Sequence, residues 1–226
     1  MNALASRAQE ASDDDLALLR RIGGHDRSAF EILMRRYNAR LYRLARATLG
    51  DPTEAEDALQ ESYVRAYRSA AQFRGDSSVL TWLSRLVLNE CVGRQRRRSR
   101  RQSIVPMVSS SSDVDVSAMR DDQSISPEHA LAREQLRSML ECKLDQLPEA
   151  FRVVFVCRSV EEMGVEETAR CLGIPEATVR TRHFRAKSLL RESLAQEVDL
   201  AEQNLFEFGG VACDRIVAAA LAAIER

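Results

Sequence analysis

Phe30, Leu33, Met34, Tyr37, Leu41 and Leu44 fall at i, i+3, i+4, i+7, i+11 and i+14. That repeat puts apolar side chains on one face of an amphipathic helix. The pattern predicts a helix ending near Gly50, with Asp51-Pro52 restarting the chain as a cap followed by proline at the first helical position. The next helix would turn Leu59, Tyr63, Ala66, Tyr67 and Ala70 inward. A polar turn follows at Arg74-Gly75-Asp76-Ser77-Ser78, and a third helix starts near Val79 with Leu80, Leu83, Leu86 and Val87 on its buried side.

Periodicity then stops. From about Ser99 to Pro127 the chain holds Ser109 to Ser112 and several aspartates, the composition of a flexible linker. Helical pattern resumes at Pro127-Glu128 and runs to about Gln196. Beyond Asp199, Gly209-Gly210 splits the tail, and Ile216, Val217, Ala220, Leu221 and Ile224 predict a short final amphipathic helix. The expectation is therefore an all-α protein of two small helical domains, 13–98 and 128–196, joined by a linker over 99–127. A C-terminal extension covers 197–226.

Composition supports helices and narrows the chemistry. The 226 residues are 45% hydrophobic, 30% charged and only 5% aromatic, a globular balance that favours helices over strands. No run approaches the roughly 18 apolar residues of a membrane span. Met1 to Asp15 lacks a basic start followed by an apolar core, so no secretion signal and a cytoplasmic location are expected. Cys91, Cys142, Cys157, Cys171 and Cys213 are scattered and never form a CxxC pair. They read as buried small hydrophobes in a reducing compartment, with no zinc site or disulfide framework. His25, His129 and His183 lie in separate segments, and there is no phosphate-cradling glycine loop or nucleophile elbow. No catalytic residue, metal or cofactor is expected.

Net charge is −1, but its distribution is uneven. Arg94, Arg96, Arg97, Arg98, Arg100 and Arg101 crowd into eight residues, and Arg180, Arg182, Arg185, Lys187 and Arg191 follow a single acid, Glu176. Between Asp51 and Glu61 the charges are all acidic: Asp51, Glu54, Glu56, Asp57 and Glu61. Two basic patches suit a polyanion, and the acidic one suits a basic protein partner. Each could also be an ordinary solvated face. Gly93, inside the third helix, should loosen it there.

Val165 to Ala186 has the pattern of a helix-turn-helix. Two helices crossing over a tight turn need a small residue at their contact, a residue tolerant of positive φ at the turn, and an apolar pin on the second helix. Ala169, Gly173 and Val179 supply these, while Val165, Leu172 and Ile174 complete the core. Pro175 sits near the start of the second helix, where its missing N–H is harmless. That helix presents Thr178, Arg180, Thr181, Arg182, Phe184, Arg185 and Lys187. Arginines there can meet guanine edges in the major groove while other cations grip phosphates. His183 reads as a phosphate neighbour or a solvated side chain.

These motifs together resemble the extracytoplasmic-function group of bacterial RNA polymerase sigma factors. Asp51 to Tyr67 is similar to the family's core-docking helix, Phe73 to Asn89 to its segment for the downstream promoter element, and Leu147-Pro148, Phe151-Arg152 and the helix-turn-helix to its upstream-element domain. The resemblance spans roughly 13–98 and 130–194. It implies core RNA polymerase and promoter DNA as partners, with Asp57, Gln60 and Glu61 meeting the core. Asp76, Ser77 and Ser78 would form a pocket for a flipped base, with Arg85 and Asn89 lining the same face. Arg180, Thr181, Phe184 and Arg185 would contact the upstream duplex, with Thr178, Arg182 and Lys187 presented by the same helix. Trp82 could wedge the opened strands or sit in the core. The arginine run after Arg94 would track phosphates or be a solvated helix end. The acidic linker would run through the polymerase cleft. The resemblance also implies that an anti-sigma factor, or the two domains packing together, holds the free protein inactive. Rival readings are a helix-turn-helix regulator acting without polymerase, and an enzyme.

Overall fold

The structure is a computed structural model and describes residues 14–102, 127–203 and Arg215. Its elements are α1 (14–23), α2 (Arg27–Leu49), α3 (Pro52–Ser69) with a 3-10 turn (Ala70–Gln72), α4 (Val79–Gln102), α5 (Pro127–Asp145), α6 (Glu149–Phe155) continued by a π turn (Val156–Val160), α7 (Val165–Leu172) and α8 (Glu176–Gln203). No strand occurs among the described residues. The described residues through Lys187 belong to one compact unit and those from Ser188 to a second. Within the second, the Ser188 hydroxyl donates to Glu192 at 2.9 Å.

Helix limits follow local chemistry. Asp26 caps α2, accepting from the Ser28 and Ala29 amides, and bonds from the Ser28 hydroxyl, the Ala29 amide and Arg21 hold its carboxyl well below the usual range. Gly50 ends α2 at φ 76, a left-handed conformation that glycine adopts without a Cβ clash. Asp51 then caps α3 through the Glu54 amide at 2.8 Å, with Pro52 in the first turn as its sequence implied.

Leu33, Tyr37 and Leu41 of α2 pack with Leu18, Leu19 and Ile22 of α1, Leu59, Tyr63 and Ala66 of α3, and Leu83, Val87 and Cys91 of α4. Phe30, Met34, Tyr67, Leu80 and Leu86 lie half-buried around this core. Trp82 is among them, half-buried with its ring 5.3 Å from that of Phe73. The last turns of α2 keep Ala45 in this cluster and turn other residues to a second one. Leu44 and Ala47, with Leu88 of α4, instead join Val153, Val156, Cys157, Met163 and Cys171 from the C-terminal half.

Three expectations change. α4 continues without a break past Gly93, where an added Cβ would only reach ordinary contact with Arg97 at 3.6 Å. It also runs on past Ser99 to Gln102, because arginine is a good helix former and its charge suits a helix C-terminus. Cys142 is exposed; Cys91, Cys157 and Cys171 are buried, and burial pushes the Cys91 and Cys171 thiols up to about 12. The rest of the expected linker, Cys213 and the final helix lie outside the described residues.

If the period of α2 sets the core, Leu33→Ala should lower unfolding free energy by about 2–5 kcal/mol. Ile32→Ala, beside it but exposed, should change it by less than about 0.5 kcal/mol. Urea unfolding of both variants checks this; equal losses would contradict the assigned face.

Candidate nucleic-acid and polymerase interfaces

Asp57, Gln60 and Glu61 are all exposed on α3. Spaced at i, i+3 and i+4, they stand together on one side of the helix, available to a basic partner. Asp57 has one neighbour of opposite charge, Arg94, at 3.7 Å.

The expected downstream-element residues form a strip rather than one pocket. Ser78 caps α4: its hydroxyl accepts from the Thr81 amide at 3.1 Å, and its carbonyl accepts from the Trp82 amide at 3.0 Å. Arg85 and Asn89 are exposed seven and eleven residues further on, the same helix face as Ser78. At about 1.5 Å per residue the strip is about 16 Å long, the reach of roughly five bases at about 3.4 Å each along one strand. Asp76 is exposed and Ser77 half-buried in the turn that leads into it.

The arginine run is partly spent within the protein. Glu90, 5% exposed, receives Arg65 from α3 at 2.8 Å, Arg94 at 3.1 Å and Arg97 at 2.9 Å. Burial opposes its ionisation, but these three hydrogen bonds outweigh that and hold its carboxyl below the ordinary value. Arg98 lies 3.5 Å from Glu54. Arg65, Arg94 and Arg98 brace α4 against α3, and Arg96 is exposed; Arg101 lies outside the residues whose side chains are described.

The helix-turn-helix forms as its spacing implied. Gly173 takes φ 64 between α7 and α8, and Val154, Ala169 and Val179 make a small buried cluster ringed by Val165, Leu172 and Ile174. Pro175 stands just before α8, its carbonyl accepting from the Val179 amide at 3.1 Å. Arg180, Thr181, Phe184, Arg185 and Lys187 are exposed on α8, and Thr178 and Arg182 are half-buried. Phe184 is 73% exposed, unusual for so large an apolar ring. Arg180 pairs with Glu176 at 2.6 Å, and Thr181 bonds back to the Ala177 carbonyl at 2.8 Å. His183 is half-buried. It bonds the Ser159 hydroxyl at 2.8 Å beside Phe155, and burial, Lys187 and Arg158 lower its pKa.

Sequence reasoning missed the acids that join the two halves. Glu161, 5% exposed on its side chain, receives Arg40 at 2.7 Å and Arg43 at 2.6 Å from α2. Glu167 of α7 accepts from the Thr81 hydroxyl at 2.5 Å and the Ser78 hydroxyl at 3.2 Å. Each partner lies more than eighty residues away, so no local period signals it. No group of three or more metal-ligating side chains occurs among the described residues, and none of their helices is long and apolar enough to cross a membrane.

Residues 33–101 match the Sigma-70 region 2 family and residues 137–190 match Sigma-70, region 4. RNA polymerase sigma-H factor of Pseudomonas aeruginosa is 31% identical over 186 residues, covering 80% of this chain and 94% of the relative. ECF RNA polymerase sigma factor SigM of Mycobacterium tuberculosis is 36% identical over 185 residues, covering 82% and 86%. Among solved structures, the sigma factor RpoE in complex with the anti-sigma factor NepR from Bartonella quintana has a TM-score of 0.59 at 20% identity, covering 74% of this chain and 96% of that one. CnrH in complex with the cytosolic domain of CnrY gives 0.55 at 24%, covering 81% and 98%. At these identities the two structures speak to the fold.

Because the Glu90 carboxyl titrates lower in the folded than in the unfolded chain, its stabilisation is full above the ordinary value of 4.5 and is lost as pH falls through the folded value. Glu90→Gln should therefore cost about 1–3 kcal/mol at pH 7 and show a smaller loss of stability between pH 5 and 3. Thermal unfolding across that range checks it; parallel profiles for the two proteins would contradict the assignment.

Proposed function

The chain belongs to the ECF family of RNA polymerase sigma factors, and we propose that it directs core polymerase to promoters by reading a minus-ten and a minus-thirty-five element. Sigma factors are initiation subunits without covalent chemistry, so the work is binding. The observation that carries the reading is the set of separate exposed surfaces: an acidic face on α3, a polar strip along α4, and a basic helix with a bare aromatic on α8.

Each surface has a matching task. Asp57, Gln60 and Glu61 offer core polymerase three polar groups on one helix side. The strip from Ser78 to Asn89, with Asp76 and Ser77 before it, receives the opened minus-ten strand. Flipping a base costs a few kcal/mol, which hydrogen bonds to its freed edge offset. Thr178, Arg180, Thr181, Arg182, Phe184, Arg185 and Lys187 lie in the major groove of the minus-thirty-five duplex. Arginines there pair with guanine edges, and Phe184 can meet a thymine methyl. The division into 13–98, a linker over 99–127 through the polymerase cleft, 128–196 and an extension over 197–226 belongs to this proposal. So does work in the cytoplasm, with an anti-sigma factor as a further partner.

In vitro transcription with purified bacterial core on a pool of promoter fragments tests the reading. Promoter-specific transcripts should appear only when the protein is added. They should fall at least tenfold with the Asp57→Ala, Gln60→Ala, Glu61→Ala triple variant. Arg180→Ala with Arg185→Ala should lower discrimination at the upstream element by about 1–3 kcal/mol per lost guanine contact. Tight promoter binding without core, and no directed start site with it, would transfer the chain to the ordinary regulators.

A further inference from the structure

The helix that carries the proposed upstream-element contacts is held at two kinds of point. The first is apolar. Val179, fully buried, packs with Val154 and Ala169 just after the turn at Gly173. The second is polar and lies one turn further on. His183 stands four residues after Val179 and three before Ala186, which is also fully buried, so it flanks the inward side of α8. An aliphatic side chain is the ordinary occupant of such a position. Here the His183 Nε2 and the Ser159 hydroxyl share a hydrogen bond of 2.8 Å, and the imidazole lies 6.4 Å from the Phe155 ring. Burial and the cations Lys187 and Arg158 lower the His183 pKa, which keeps the ring neutral at pH 7.

Ser159 is itself fixed in place. It belongs to the π turn, Val156–Val160, whose Val156 and Cys157 side chains are buried. The Glu161 amide closes the turn on the Val156 carbonyl at 2.9 Å, and the Met163 amide donates to the Cys157 carbonyl at 2.9 Å. The Arg158 guanidinium donates to the Met163 carbonyl. π turns are rare and recur at functional positions. This one carries a hydroxyl to the middle of the reading segment of α8.

Position and direction are separate requirements on such a helix. Held at Val179 alone, α8 could swing about that point. Val179 to Arg185 spans about 9 Å, so a swing of about 10° would carry Arg185 by about 1.5 Å. Hydrogen bonds to a base edge form only over about 2.7–3.2 Å and would be lost. Ala186 sets how closely α8 approaches its support, but a methyl group makes no directional bond.

We propose, resting on the reading of α8 as the upstream-element helix, that His183 is a positioning residue: through Ser159 it fixes the direction of α8 and so which base edges Arg180 and Arg185 reach. Its side chain is spent on the protein, whereas Thr181, Phe184 and Arg185 are exposed on other sides of the same helix.

Transcription by core polymerase with the full chain tests this, on a promoter recovered from the fragment pool and on a copy with its upstream element scrambled. The readout is the ratio of the two yields, in which uniform changes of phosphate affinity cancel. Ser159→Ala, at an exposed position, removes the partner without touching α8. It should lower the ratio about three- to tenfold, the size of one hydrogen bond. His183→Leu should lower it by a similar factor, and the double variant no further, since the two residues share one interaction. His183→Gln keeps a hydrogen-bonding group near the Nε2 position and should stay within about twofold of the unaltered protein. The thermal midpoint of Ser159→Ala should stay within about 3 °C, which separates direction from folding. An unchanged ratio in Ser159→Ala, or losses that add in the double variant, would overturn the positioning role. An unaltered protein with no preference for the intact element would instead remove the upstream-element reading, and the role of His183 with it.

Discussion

The structure depends on α2 burying one stripe against two different partners. Leu33, Tyr37 and Leu41 close the core of α1 to α4, and from the next turn Leu44 and Ala47 face the C-terminal half. Burying a leucine is worth about 1.5–3 kcal/mol, so a helix of 23 residues carrying such a stripe organises both halves at once. The arginines Arg40, Arg43 and Arg46, flanking the end of that stripe, then meet acids from the other half. Apolar packing sets the approach, and the ion pairs select its register.

Buried carboxylates recur as the device that positions cations. Asp15, 5% exposed, takes Arg36 and the Tyr37 hydroxyl; Glu90 takes three arginines; Glu161 takes two. In each case the arginines remain partly solvated, so the carboxylate bears most of the desolvation and its hydrogen bonds must compensate. No buried side-chain nitrogen or oxygen among the described residues is left without a partner. Within the basic run of α4, Arg94 and Arg97 bond Glu90, while Arg97 still keeps 59% of its side chain exposed.

Much of this was legible in the sequence because it is local. The repeat from Phe30 to Leu44, the Gly50-Asp51-Pro52 boundary and the Ala169, Gly173, Val179 spacing each follow from a single helix or turn. The same holds for the candidate surfaces, since Asp57, Gln60 and Glu61, or Arg85 and Asn89, share a helix face by spacing alone. What stayed hidden depends on residues far apart. Nothing near Glu161 announces Arg40, and nothing near Ser78 announces Glu167. Gly93 misled for a related reason: its helix cost is small beside the packing of Leu83, Val87 and Cys91 earlier on α4 and the bonds from Glu90, before it, to Arg94 and Arg97, after it.

The most direct test of the central claim is a footprint on one responsive promoter, reading strand protection and single-strand reactivity together. With core polymerase present, two separate protected segments should form, the upstream one remaining duplex and the downstream one containing reactive unpaired bases. A single protected duplex segment, formed equally well without core and with no opened bases, would contradict it.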